Sequence, residues 1–182
     1  MNETLFLYIN SFAGNNHLLD LFFIISAKAM PYIFIGVEVW LYFIAKRKTE
    51  AIFAFYAVVI GLFINQIIGM FYFHNRPFMD TLGVQLVYHQ AENSFPSDHT
   101  TFLFAIAFSY LFFKVKKLAV ISLSLAFLGG ISRVYVGVHY PFDIIGGIFV
   151  GFVGAFWVLL LKDRLEFINE IIFKIEGPGF TS

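Results

Sequence analysis

The sequence predicts an all-α fold, a polytopic helical membrane bundle of about five transmembrane helices preceded by a short interfacial helix. Three observations predict it. Of 182 residues, 59% are hydrophobic and only 13% charged, and the mean hydropathy is +0.80; a soluble domain carries roughly twice that charged fraction. Apolar runs recur at the length a membrane-crossing helix needs, about 20 residues. Nine of the twelve Lys and Arg residues gather in three short clusters between or after those runs. The length suits a single domain, residues 1–182. A net charge of zero gives no reason to expect a nucleic-acid partner. The absence of cysteine excludes disulfides, thiolate catalysis and cysteine metal sites.

Residues 4–13 are apolar but too short to span a bilayer, and segment 1–17 reads as an interfacial helix ended by Gly14-Asn15-Asn16. It lacks a basic leader and a small-residue cleavage site, so no cleavable signal is expected. The first span runs from about Leu18 to Ala45 and contains Lys28, Pro31 and Glu38; Lys46, Arg47 and Lys48 follow. The second runs from about Ala51 to Phe73, with Asn65 and Gln66 read as interhelical hydrogen-bonding residues. Residues 74–96 form a polar loop too long for a simple connector, and its position suggests a lid. The third span opens near Ser97 and ends at Lys114-Val115-Lys116-Lys117. The fourth runs from Leu118 to Val136, and the fifth from Pro141 to Leu161, ahead of Lys162-Asp163-Arg164. Gly129-Gly130 and Gly146-Gly147-x3-Gly151 are expected to let spans four and five approach closely. The tail, 165–182, opens with an amphipathic stretch, Leu165–Ile175, and passes through Gly177-Pro178-Gly179 into expected disorder. Five spans place all three basic clusters on one side. The positive-inside rule makes that side cytoplasmic, with the tail inside and the 74–96 loop outside.

Arg76, Arg133 and all five histidines fall toward the opposite, outer side. Pro141 suits the first turn of a helix, where its missing N–H costs nothing. Asp143, at the third helical position, can reach back toward His139 and hold it, as a triad aspartate holds its histidine. Arg133 suits an oxyanion. A helix opening at Ser97 presents free N–H groups and the positive end of a dipole, a natural anion site. Two arginines and that terminus can share one phosphate, while His99 and His139 divide the roles of nucleophile and general acid. His17, His74 and His89 read as interfacial or loop residues.

Arg76-Pro77, Pro96-Ser97-Asp98-His99 and Ser132-Arg133-x5-His139-x3-Asp143 resemble the three signature motifs of the type 2 phosphatidic acid phosphatase superfamily. Within it the chain is most similar to small bacterial undecaprenyl pyrophosphate phosphatases of the bacitracin-resistance type. The resemblance implies a multi-pass protein of the bacterial plasma membrane with its active site outside, acting on a polyprenyl pyrophosphate. By position, His139 would attack phosphorus with Asp143 orienting it, and His99 would protonate the leaving oxygen and later activate water. Arg76, Ser97 and Arg133 would bind the phosphoryl group. No cofactor and no metal are implied, and oligomeric state is left open.

Two positions depart from the motifs. The resemblance places a lysine seven residues before the arginine, where this chain has Gly69; Lys28 is the spare cation that can replace it. Asp98 stands where the broader superfamily often has glycine. It either shapes the loop or answers a cation carried by a diphosphate, and it stays a candidate phosphate-site residue with Lys28. Three other readings remain open: a phosphatidic acid or phosphatidylglycerol phosphate phosphatase, a phosphotransferase, and a small transporter or lipid-binding protein.

Overall fold

The computed structural model describes residues 1–176, with side chains described through Glu170; the disorder expected from Gly177-Pro178-Gly179 onward lies outside the described residues. The regular structure described is helical throughout: α1 (Asn2–Asn10), α2 (His17–Phe43), α3 (Lys48–Phe71), α4 (Asp98–Phe112), α5 (Lys116–Tyr135), α6 (Pro141–Leu160) and α7 (Lys162–Glu176). Boundaries follow local chemistry. The Asn16 side chain accepts from the Leu18 and Leu19 N–H groups at 3.0 and 3.2 Å, capping α2. Ser97 caps α4 in the same way, and Pro141 opens α6.

Four helices, α2, α3, α5 and α6, are long and apolar enough to cross a membrane. They turn Phe22, Phe55, Phe63, Phe127, Phe149 and Trp157 outward, which suits a lipid solvent. The third expected span is α4, only 15 residues long and thus about 22 Å. It is the buried axis of the bundle: Leu103, Phe104, Ala105, Ile106, Ala107 and Tyr110 are all at most 1% exposed. A helix surrounded by other helices need not match the bilayer by itself. Some polar groups inside the bundle pair across helices. Asn65 Nδ2 donates to Asp98 Oδ1 at 2.7 Å and Thr101 Oγ1 at 2.9 Å, and Tyr110 donates to Glu38 at 2.5 Å.

The expected glycine contact between the fourth and fifth spans is made at Gly130, whose Cβ would lie 2.8 Å from Ile144 of α6, while Gly129, Gly147 and Gly151 face α4. A Cβ on Gly151 of α6 would sit 2.8 Å from the Ala105 nitrogen, and one on Gly154 would sit 2.6 Å from the Ala57 oxygen. These glycines therefore press α6 onto α4 and α3. Gly129 of α5 similarly meets Leu103 of α4 and Met30 of α2.

The short helix α1 docks on the end of the bundle where the 74–96 loop lies. Phe6 is fully buried edge-on to Tyr140, with ring centroids 5.3 Å apart. Asn10, 2% exposed, donates to the carbonyls of Val84 (2.9 Å) and Tyr135 (2.8 Å) and accepts from the Val84 N–H (2.6 Å). One side chain thus ties α1, the loop and the end of α5 together. At the far end, Phe53 packs on Phe113, and Tyr56 of α3 donates to Asn169 of α7. The amphipathic stretch expected from Leu165 falls on α7.

Candidate active site

Three separate stretches converge at the loop end of the bundle: the segment after α3, the N-terminus of α4, and the turn from α5 into α6. Asp143 reaches back as its position implies, and its Oδ2 accepts the Tyr140 N–H at 2.8 Å. The same oxygen lies 3.4 Å from His139 Nδ1 and accepts the Ser94 hydroxyl at 2.5 Å. Ser94 Oγ is also 3.3 Å from His139 Nδ1. Ser94 and Asp143 are fully buried and His139 is 2% exposed, so these contacts operate away from water, where they count most.

The partners of His139 set its tautomer. Nδ1 faces a carboxylate and therefore carries the proton, leaving an Nε2 lone pair that accepts from Arg76 NH1 at 3.1 Å. Burial pushes His139 down to about 3; the Asp143 hydrogen bond works the other way, and the charges of Arg133 and Arg76 add to the lowering. At neutral pH the ring is uncharged with Nε2 unprotonated, the form a nucleophile needs.

Arg76 is 4% exposed. Its NH1 also donates to the Val138 carbonyl at 3.0 Å, while NH2 reaches the Asn93 carbonyl at 3.2 Å and Glu92 at 3.3 Å. Burial lowers its pKa, opposed by the charges of Glu92, Asp143 and Asp98. Arg133 is equally buried, yet its Nε and NH2 have no acceptor among the described residues. A guanidinium withdrawn from water with two unanswered nitrogens has the chemistry to bind an oxyanion. His99 is the second residue of α4, at the helix end that meets this cluster. Ser97 Oγ accepts from the Thr100 N–H at 3.4 Å and its hydroxyl at 3.1 Å. Its own proton is uncommitted among the described residues.

Two candidates lie apart from this cluster. Asp98 is exposed and turned toward α3, where Asn65 holds it; with Asn65, Gln66, Gly69, Glu92 and Asn93 it lines a cavity of about 280 Å³. Lys28 is exposed on α2, and among the described residues no hydrogen bond or ion pair joins it to the cluster. The loop instead supplies residues that sequence reasoning missed. Ser94 contacts His139 and Asp143, Glu92 contacts Arg76, the His89 ring lies 6.4 Å from that of His139, and His74 Nδ1 lies 3.3 Å from Asp143 Oδ1. Burial lowers the pKa of His89, and the Arg76 charge adds to the effect. Only His74 carried a signal: in an extended chain it shares a face with Arg76, two residues on.

Comparison with known proteins agrees with this geometry. A match to the PAP2 superfamily covers residues 50–166. The bacitracin transport permease protein BcrC of Bacillus licheniformis is 33% identical over 97% of this chain and 88% of its own. The undecaprenyl-diphosphatase BcrC of Bacillus subtilis is 32% identical over 96% of this chain and 91% of its own. The crystal structure of LpxE from Aquifex aeolicus superposes with a TM-score of 0.74 at 28% identity, covering 87% of this chain and 94% of that one.

Proposed function

The chain belongs to the PAP2 superfamily, and from that premise we propose that it is a membrane phosphatase hydrolysing the terminal phosphate of a lipid pyrophosphate, undecaprenyl pyrophosphate above all. The observation that carries this reading is Arg133, buried with its Nε and NH2 unanswered beside Arg76 and a neutral His139. The undecaprenyl-diphosphatase name of the Bacillus subtilis relative supports the substrate.

The terminal phosphoryl group sits between Arg76, Arg133 and the N-terminus of α4, with the Ser97 hydroxyl donating to it. Its oxygens take over the Arg76 N–H now pointing at His139 Nε2, which frees that lone pair. Nε2 attacks phosphorus, and the bond to the bridging oxygen breaks. His99 delivers a proton to the departing undecaprenyl phosphate. Asp143 holds the Nδ1 proton and balances the charge of the phosphohistidine. His99 then takes a proton from water, whose oxygen displaces His139 and releases inorganic phosphate. The arginines stabilise the charge of both transition states.

The basic clusters at the opposite end of the helices support a site on the outer face and a cytoplasmic tail. One relative bears a transport name, but a transporter gathers its ionisable groups near the membrane midplane, and here they gather at one end. The test is phosphate release by detergent-purified protein in EDTA, from undecaprenyl pyrophosphate, phosphatidic acid and phosphatidylglycerol phosphate. Fastest release from the pyrophosphate, abolished in His139→Ala, is expected. Faster release from a monophosphate lipid would overturn the substrate, and no release from any would overturn the reaction.

A further inference from the structure

The catalytic carboxylate has two oxygens, and only one is accounted for by His139. Oδ2 of Asp143 takes the Ser94 hydroxyl, the Tyr140 N–H and the Nδ1 side of His139. Among the described residues Oδ1 is buried with no hydrogen-bond partner. The polar atom beside it is His74 Nδ1, at 3.3 Å, which likewise has no hydrogen-bond partner among the described residues. The position of His74 is set on every side. Its backbone N–H donates to Asn93 Oδ1 and its carbonyl accepts from the Ser94 N–H, both at 2.8 Å. Its ring stacks on Tyr72, with centroids 6.2 Å apart and planes 13° apart, and meets Tyr140 at 5.2 Å. His74 and Asp143 together border a cavity of about 400 Å³ that Tyr72, Phe95 and Phe142 also line.

We infer that His74 is a positioning residue for the phosphatase reaction, its Nδ1–H holding Oδ1 so that Oδ2 faces His139. A carboxylate secured on one oxygen only can rotate about its terminal bond, and its broad torsional well offers little resistance. Rotation would trade the His139 contact for one with water entering the neighbouring cavity. A donor on each oxygen removes that freedom, and His74 is placed to be the second. Asp143 thus lies between two histidines, one reacting with substrate through Nε2 and one lying beside the carboxylate, away from the reacting phosphorus. His74 acts on the rate of phosphoryl transfer and leaves phosphate binding, the work of Arg76 and Arg133, alone.

The inference rests on the phosphatase reading, and the experiment separates the two. Phosphate release from undecaprenyl pyrophosphate is measured first for the wild type, whose inactivity would overturn both. Two substitutions then divide ring from N–H. His74→Phe keeps the stacking on Tyr72 and Tyr140 but removes the donor. His74→Asn discards the ring but places an amide N–H close to the Nδ1 position. For His74→Phe, kcat is expected to fall by about tenfold or more, the range of a lost hydrogen bond to a charged group, with KM within about twofold. His74→Asn is expected to recover most of the lost kcat. A merely structural ring predicts the reverse, with Phe tolerated and Asn impaired, and that pattern would overturn the inference. So would a change confined to KM. If the Phe variant does not survive purification, His74→Met, which lacks the N–H in a flexible side chain, carries the same expectation.

Discussion

Gly147 lies one turn beyond Asp143 on α6, where that helix meets the start of α4. A Cβ there would stand 2.8 Å from the Ser97 carbonyl oxygen and 2.8 Å from Thr100 Cβ. Carbon atoms pack at about 3.5–4.0 Å, so Gly147→Ala must push α4 and α6 apart by about 1 Å. Overpacking of this kind costs about 1–3 kcal/mol, while replacing a helical glycine by alanine returns about 1 kcal/mol. The net loss of stability is therefore small, about 0–2 kcal/mol. The loss of activity is not small. The displaced atoms join the two halves of the site, since Ser97 N–H donates to the Asp143 carbonyl at 3.1 Å, and a 1 Å misplacement costs roughly a hundredfold in rate. Phosphate release and thermal unfolding measured in one detergent should show kcat falling about a hundredfold while the unfolding temperature drops by a few degrees. Gly36→Ala on α2 is the control, because its Cβ would meet nothing within 4 Å; it should leave kcat unchanged. Wild-type kcat in Gly147→Ala would refute the claim that this helix contact sets the geometry of the site.

Further outcomes follow from single contacts. His139, held down to about 3 by burial, is neutral when folded but takes up a proton near pH 6.5 when unfolded. Its contribution to stability is complete above that value and lost as pH falls toward 3, so the wild type should lose unfolding temperature between pH 6.5 and 4 more steeply than His139→Gln. Equal slopes would contradict the buried neutral histidine. Ser94→Ala removes a 2.5 Å donor to Asp143 and should lower kcat by roughly tenfold; a variant with full kcat would show that donor to be dispensable. Glu92 competes with phosphate for Arg76 at 3.3 Å but is half exposed. Glu92→Gln should therefore lower KM only about threefold, and a higher KM would mean that Glu92 assists binding.

Much of this arrangement is local, and local chemistry is what a sequence displays. The apolar runs became α2, α3, α5 and α6 within a few residues, because length and hydropathy decide membrane crossing. Pro141 opening a helix and Asp143 reaching back to its start depend on residues three and four apart. What stayed hidden depends on chain that returns from afar. Ser94 and Asp143 are 49 positions apart, and no spacing rule says which loop residue folds back onto which helix. Asp98 accepts from Asn65, 33 positions earlier, a pairing that no spacing rule announces. The glycines of α5 and α6 announced close packing, which Gly130 makes with Ile144 of α6, but not that Gly129, Gly147 and Gly151 would face α4. His74 read as an ordinary loop histidine because its contact with Asp143 requires the whole loop to close through Asn93 and Ser94.

The central claim is that His139 Nε2 carries the phosphoryl group. Rapid-quench trapping with undecaprenyl pyrophosphate labelled in its terminal phosphate tests it most directly. Wild-type protein should show an acid-labile, base-stable label that maps to His139 and is absent from His139→Ala. Turnover by the wild type with no label on the protein, or a label that survives in His139→Ala, would contradict the account.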